Sequence, residues 1–223
     1  MVTIDREAAP AVAVAAVPAL LAAITGRTRT GLALLVLPLS AAAFFRDPDR
    51  AADTVEPGPD VVLSPADGKV MHAGPGQPGV APEGEWQQVS IFLSAFDVHI
   101  NRAPYAGRLT EVTYRPGKWL AAYTHESAHL NERTDLTVVQ DVAGRSRTVV
   151  FRQIVGLMAR RVVTRVRAGD TVRSGQRIGL MKFGSRMDVF VPVDAVLLVT
   201  SGDRVVGGQT VIARWPATAQ DSS

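Results

Sequence analysis

Gly169-Asp170-Thr171-Val172-Arg173-Ser174-Gly175-Gln176-Arg177-Ile178 recurs 33 positions on (202 minus 169) as Gly202-Asp203-Arg204-Val205-Val206-Gly207-Gly208-Gln209-Thr210-Val211. Each copy sets one turn before Val172 or Val205 and a second at Gly175 or Gly208, so each folds a short strand pair back on itself. Between the copies stands Lys182-Phe183-Gly184-Ser185-Arg186-Met187-Asp188-Val189-Phe190-Val191-Pro192, a Gly-Ser pair set between an apolar-basic run and an alternating strand. Further period-2 runs cover 89–93, 108–114, 136–142, 148–153, 161–166 and 187–191, split by Gly, Pro, Asp and Asn. Runs of that length and period predict a mainly antiparallel β domain.

Twin units of this kind resemble the two halves of biotinyl and lipoyl carrier domains. That likeness implies a flattened barrel-sandwich hybrid, with Gly184-Ser185 in the hairpin region between two rigid halves. Gly184 has no side chain, so the Ser185 hydroxyl can approach the Gly184 carbonyl unobstructed. A strained, well-held turn is a place where backbone chemistry can be enforced.

The amino-terminal part is of another kind. Residues 8–26 hold 19 positions without a charge and 30–45 another 16, separated by Arg27 and Arg29. At 1.5 Å per residue the second run makes about 24 Å of helix, short of the roughly 30 Å hydrocarbon core, so it spans only with local thinning or by re-entry. Two short helices in a membrane hairpin are predicted. Ser40-Ala41-Ala42-Ala43 offers small residues of the signal-cleavage type, but Asp5 and Glu7 beside Arg6 leave no basic leader, which favours retained attachment. The organisation expected is a hydrophobic hairpin at 1–50, a linker at 51–60 with Pro57-Gly58-Pro59, and a β domain at 61–223.

Composition narrows the chemistry. The balance of 24 basic and 21 acidic residues, net +3, suits an anionic membrane surface, and no Lys/Arg run with interleaved aromatics points to nucleic acid. The chain has no cysteine, which excludes disulfides, thiolate catalysis and Cys-ligated zinc or iron-sulfur centres.

Five stretches follow one another in fixed order: Phe44-Phe45-Arg46-Asp47-Pro48, Ser64-Pro65-Ala66-Asp67-Gly68-Lys69-Val70, Phe96-Asp97-Val98-His99-Ile100-Asn101-Arg102-Ala103-Pro104, Asn131-Glu132-Arg133 and the Gly184-Ser185 stretch. Together, over about residues 44–214, they resemble the phosphatidylserine decarboxylase proenzyme family in its short bacterial and archaeal form. The resemblance implies self-cleavage between Gly184 and Ser185 into a large chain, 1–184, and a small chain, 185–223. Ser185 would attack the Gly184 carbonyl, and elimination and loss of ammonia would leave a pyruvoyl group on Ser185 as the sole cofactor, with no metal. That keto group forms a Schiff base with a substrate amine and accepts the electrons freed as carbon dioxide departs. Phosphatidylserine is then the substrate and phosphatidylethanolamine the product. The expected partner is a membrane lipid surface, at the cell membrane, peripheral or hairpin-anchored, with the catalytic domain cytoplasmic; a homo-oligomer stays open.

Serine needs a base within reach, itself oriented by a third group. Family likeness implies an Asp-His-Ser set of Asp67, His99 and Ser185. From spacing alone, Asp97 and His99 share a face if 96–100 is a strand, and Asp67-Gly68 alone reads as a turn. Longer members carry two histidines three residues apart where this chain has His99 and Arg102. Either His99 serves both cleavage and decarboxylation, or Arg102 and Asp97 share the work. Arg102 and Arg186 are implied partners for the substrate's phosphate or carboxylate, since guanidinium pairs with both bidentately.

Two other classes compete. His125-Glu126-Ser127-Ala128-His129 has the spacing of a zinc hydrolase helix with Glu126 as base, although no further histidine follows His129 as a third ligand. Met181-Lys182 is similar to the modified-lysine hairpin of biotinyl carriers, although Gly179-Leu180 precedes the lysine instead of Glu-Ala.

Overall fold

The computed structural model describes residues 2–54, 56–157, 161–182 and 184–216, so Phe183 of the central stretch, Val55 of the expected linker and residues 217–223 of the expected β domain lie outside the described residues. The chain forms two compact units, Met1–Asp49 and Arg50–Ser223.

In the first unit β1 (Val2–Ile4) pairs antiparallel with β2 (Arg46–Pro48), and between them run α1 (Ala8–Ile24), α2 (Thr28–Leu34) and α3 (Val36–Phe44). The second apolar run is therefore two helices, not one. Pro38 explains the break: it has no N–H to offer the Leu34 carbonyl four residues back, so α2 stops there. At 17 residues α1 is about 25 Å long. Among the described residues no helix is long and apolar enough to cross a membrane. Val14, Leu20, Ile24, Leu32 and Leu39 stay exposed on these helices.

The second unit begins with a 3-10 turn at Ala51–Asp53 and then runs through β3 (Val61–Leu63), β4 (Gly68–Pro75), β5 (Trp86–Leu93), β6 (Ile100–Arg102) and β7 (Gly107–Arg115). After the one-turn helix α4 (Ser127–Leu130) come β8 (Arg133–Val142), β9 (Arg145–Val155), β10 (Val162–Thr164), β11 (Thr171–Val172) and β12 (Arg177–Met181). The last strands are β13 (Ser185–Pro192), β14 (Val196–Leu197), β15 (Arg204–Val205) and β16 (Val211–Arg214). Eight of them form a curled antiparallel half-barrel in the order β11-β7-β8-β9-β13-β5-β4-β15, flanked by two three-stranded sheets, β10-β12-β6 and β14-β16-β3.

The repeat builds both ends of this half-barrel. Val172 lies in edge strand β11 and Val205 in the opposite edge β15, each only two residues long, which leaves little open edge for unwanted pairing. Leu109 donates its N–H to the Asp170 carbonyl and its own carbonyl accepts from Gly169 N–H; Val70 makes the same two bonds with Asp203 and Gly202. The duplication thus extends to Pro65–Val70 and Pro104–Leu109. The copies meet where a β-carbon added to Gly175 would lie 3.7 Å from the Gly208 Cα.

β13 sits at the centre, paired with β5 on one side and β9 on the other. Met187, Val189 and Val191 pack into the main core with Ile91, Phe151 and Leu136. The opposite face carries a cross-strand polar row, Ser90, Asp188, Arg152 and Asp135, on β5, β13, β9 and β8. Ser90, Asp188 and Asp135 of this row are also buried, and Arg152 is only slightly exposed. Arg186 Nε donates to Asp188 at 2.6 Å, and Arg152 lies 4.9 Å over the Phe190 ring. Burial pushes the Arg152 guanidinium below its usual range, with Asp135 and Asp188 opposing the shift.

A second ionic tie holds the start of this unit. Asp53 accepts from Arg102 at 2.7 and 3.2 Å and from Arg177 at 3.2 Å. Burial raises the Asp53 carboxyl, but the Arg102 hydrogen bond, the Arg50 amide and the two guanidinium charges outweigh it and hold the group below the ordinary carboxylate range. For a carboxylate lowered on folding, the stabilisation is complete above the ordinary value and fades as pH falls through the folded one. Asp53→Asn is expected to cost less than the roughly 3–5 kcal/mol of a fully buried pair, with the loss shrinking in acid. Urea unfolding at pH 7 and pH 3 checks this; an equal loss at both would show that charge is not the cause.

Candidate active site

Gly184-Ser185 is not a hairpin tip. Strand β12 ends at Met181 in one sheet and β13 begins at Ser185 in another, so the two are not hydrogen-bonded neighbours. Gly184 takes φ +63°, in the left-handed region where glycine alone sits without strain. Ser185 then enters the central strand opposite Leu93 of β5 and Val155 of β9. It is fully buried and its hydroxyl has no hydrogen-bond partner. An unpaired buried hydroxyl costs free energy unless the site uses it.

His99 lies next to this bond. Its Nδ1 is 2.9 Å from the Asp97 carbonyl oxygen, which can only accept, so Nδ1 carries the proton. Nε2 is therefore the bare nitrogen, and Gly184 N–H donates to it at 3.3 Å. The imidazole is buried, with Nε2 against the amide of Gly184. The condition of a strand over 96–100 is not met: Ser94 N–H and Oγ bond the Asp97 carboxylate at 2.8 and 2.6 Å, closing a turn, and the strand starts only at Ile100. Asp97 thus orients His99 through its carbonyl, while its other carboxylate oxygen takes Arg204 at 2.8 Å.

Against the Gly184 carbonyl stands Gly156, which nothing in the sequence singles out. A β-carbon there would overlap the Gly184 carbonyl oxygen and would lie 3.1 Å from the Ala122 methyl. The loop bearing Ala122 is pinned by Asn131, whose side chain bonds Leu120 N–H at 2.9 Å and the Leu120 and Val155 carbonyls at 2.8 Å each. Glu132 adds bonds from Trp119 Nε1 and Val162 N–H. The Asn131-Glu132-Arg133 motif is therefore a clamp on the cover of this site. Asn101, two residues past His99, leaves its buried Nδ2 without a partner.

The remaining expected residues are placed as follows. Asp67 binds Arg50 at 2.7 Å and Gly207 N–H at 2.8 Å, and the Ser185 hydroxyl is not among its partners. Arg102 is buried on Asp53 and the Gly175 carbonyl. Arg186, one step along the strand from Ser185, points to the other face, where it bonds Asp188 and Ser90 and lines a cavity with His72, Gln77, Tyr123 and His125. His125 precedes the single turn of α4, which carries His129, so no helix presents both on one face, and no third ligand gathers near them among the described residues. Lys182 is half-buried after the buried Met181.

Comparison with known proteins meets this geometry. Residues 39–213 match the family described as phosphatidylserine decarboxylase. A phosphatidylserine decarboxylase proenzyme of Solibacter usitatus is 45% identical over 204 residues, covering 92% of each chain. One of Symbiobacterium thermophilum is 46% identical over 191 residues, 86% of this chain and 84% of its own. A third, from Desulfotalea psychrophila, is 35% identical over 213 residues, 96% and 97% of the two chains. With the match spanning nearly all of the second unit and with relatives aligned almost end to end, the chain belongs to the phosphatidylserine decarboxylase family.

Proposed function

We propose that the chain cuts its own backbone between Gly184 and Ser185 and then decarboxylates phosphatidylserine to phosphatidylethanolamine and carbon dioxide. The observation that carries this reading is the buried, unpartnered Ser185 hydroxyl next to a left-handed Gly184 whose amide rests on the bare nitrogen of His99. The Ser185 oxygen bonds to the Gly184 carbonyl carbon as its proton passes to His99 Nε2. The Gly184–Ser185 C–N bond breaks as the nitrogen takes up a proton, leaving an ester. Removal of the Ser185 α-proton expels the Gly184 carboxylate, and hydrolysis of the dehydroalanine so formed releases ammonia and leaves the pyruvoyl group.

The residues present fit that group: the Ser185 position is enclosed, and its side-chain oxygen holds no hydrogen bond that the conversion would break. The pyruvoyl group supplies a carbonyl to take up a substrate amine and a sink for the electron pair freed with carbon dioxide. His99 is the group to move a proton at the substrate α-carbon. Large and small chains remain together because β13, which begins at Ser185, is the middle strand of the half-barrel. The twinned edge units support the finer reading of the fold as two carrier-like halves. The exposed apolar residues of α1 to α3 support attachment of the first unit to the membrane.

Intact mass and a denaturing gel test the proposal. The expected result is a 184-residue fragment and a 39-residue fragment (223 minus 184), the smaller lighter than its unmodified peptide by one ammonia. Hydroxylamine should abolish activity, and His125→Ala with His129→Ala should spare it. Only full-length chain in an active sample, or activity lost to chelators and untouched by carbonyl reagents, would overturn the reading.

A further inference from the structure

We infer that the end of the half-barrel around Ser185 is a rim that docks on an anionic phospholipid bilayer, a contact made by the second unit itself. The inference rests on the lipid reading of the site. Ser185 pairs with Leu93 and Val155, the last residues of β5 and β9, so the segments leaving both strands emerge at its end of the sheet. The segment after β5 carries Phe96, 88% exposed, and the segment after β9 carries Leu157, 68% exposed. The loop that reaches Gly156 through Ala122 carries Tyr123, 70% exposed, and Trp119, 49% exposed. Single exposed apolar residues are ordinary on a soluble surface; four on the segments framing one buried reactive residue are not. Tyr and Trp with a polar tip and an apolar body suit the headgroup layer.

Charge decides between a bilayer and a second copy of the chain. Lys118 and Arg161 are exposed on the same segments and Lys182 is half-exposed just before Gly184. Glu126 on the same loop is the exposed acidic group among them; a two-fold contact would still bring two copies of this net-positive rim together, whereas anionic headgroups attract each cation. A lipid drawn from a bilayer docked there enters at the end where Ser185 lies.

The test uses the full chain. Vesicles of phosphatidylserine and phosphatidylcholine carrying brominated acyl chains are expected to quench Trp119, with the quenching lost in Trp119→Phe. Phe96→Ser with Leu157→Ser is expected to form the 39-residue fragment normally and to turn over a short-chain, monomeric phosphatidylserine like wild type. On vesicles its KM should rise at least tenfold. Unquenched Trp119, or a double variant unimpaired on vesicles, would overturn the inference. So would equal loss on both substrates, which would put the rim in the catalytic architecture, or a sedimenting dimer that the double variant dissolves. Should wild type turn over neither form of phosphatidylserine, the proposed activity fails while the quenching still decides the docking.

Discussion

Ser185→Ala is expected to yield a folded, uncut 223-residue chain without decarboxylase activity, and Gly156→Ala to cut on the order of 100-fold more slowly than wild type. The first removes the only oxygen that can form the ester. The second acts from just past the end of β9: its new methyl would overlap the Gly184 carbonyl oxygen and press on Ala122, so the Gly184–Ser185 peptide must move away from its present alignment. A displacement near 1 Å at a reacting atom costs about two orders of magnitude. Gly184→Ala gives the contrast, since nothing lies within 4 Å of a β-carbon there. Its cost is conformational, about 1–2 kcal/mol for a left-handed residue. Circular dichroism and thermal midpoints establish that each variant is folded, and timed gels give the rates. Cleavage of Gly156→Ala at the wild-type rate would show that the carbonyl has slack, and a cut Ser185→Ala would remove the serine from the mechanism.

Much of the framework was legible because it rests on local chemistry. Period-2 runs gave the strands, and the Gly-Asp turns gave the repeat, since each turn is written in consecutive residues. The other half of the duplication was hidden: Pro65–Val70 and Pro104–Leu109 share few side chains, and their equivalence lies in backbone bonds to Asp203 and Asp170. Gly156 was hidden for a similar reason. After the apolar run of β9 it reads as a strand ending, and its partner, the Gly184 carbonyl, is 28 residues away (184 minus 156) and has no side-chain signature. Ion pairing was the least readable. The alternation of Arg186 and Asp188 with apolar residues resembles a solvated face, yet both side chains are buried. Arg50 takes Asp67 and Asp53 takes Arg102, choices made by tertiary proximity over 17 and 49 positions.

Those pairings lead to the second large effect. His99→Gln is expected to slow cleavage by about 10²- to 10⁴-fold, the span general acid-base catalysis covers, while Asp67→Asn cuts at close to the wild-type rate and is merely less stable. A glutamine amide can keep a hydrogen bond to Gly184 N–H, but it cannot take the Ser185 proton at neutral pH, so the loss isolates proton transfer from positioning. Asn at 67 keeps an acceptor for Gly207 N–H and gives up only the charge facing Arg50. Orientation of the imidazole should survive that change, because the partner of Nδ1 is the Asp97 backbone carbonyl. Asp97→Ala retains that carbonyl and loosens only the turn at Ser94 and the contact with Arg204. Timed gels on the three variants, with thermal midpoints alongside, separate the roles. If Asp67→Asn stops cleavage in a stable protein while His99→Gln does not, the carboxylate of Asp67 must reach the scissile bond after leaving Arg50, and the base assignment passes from His99 to Asp67.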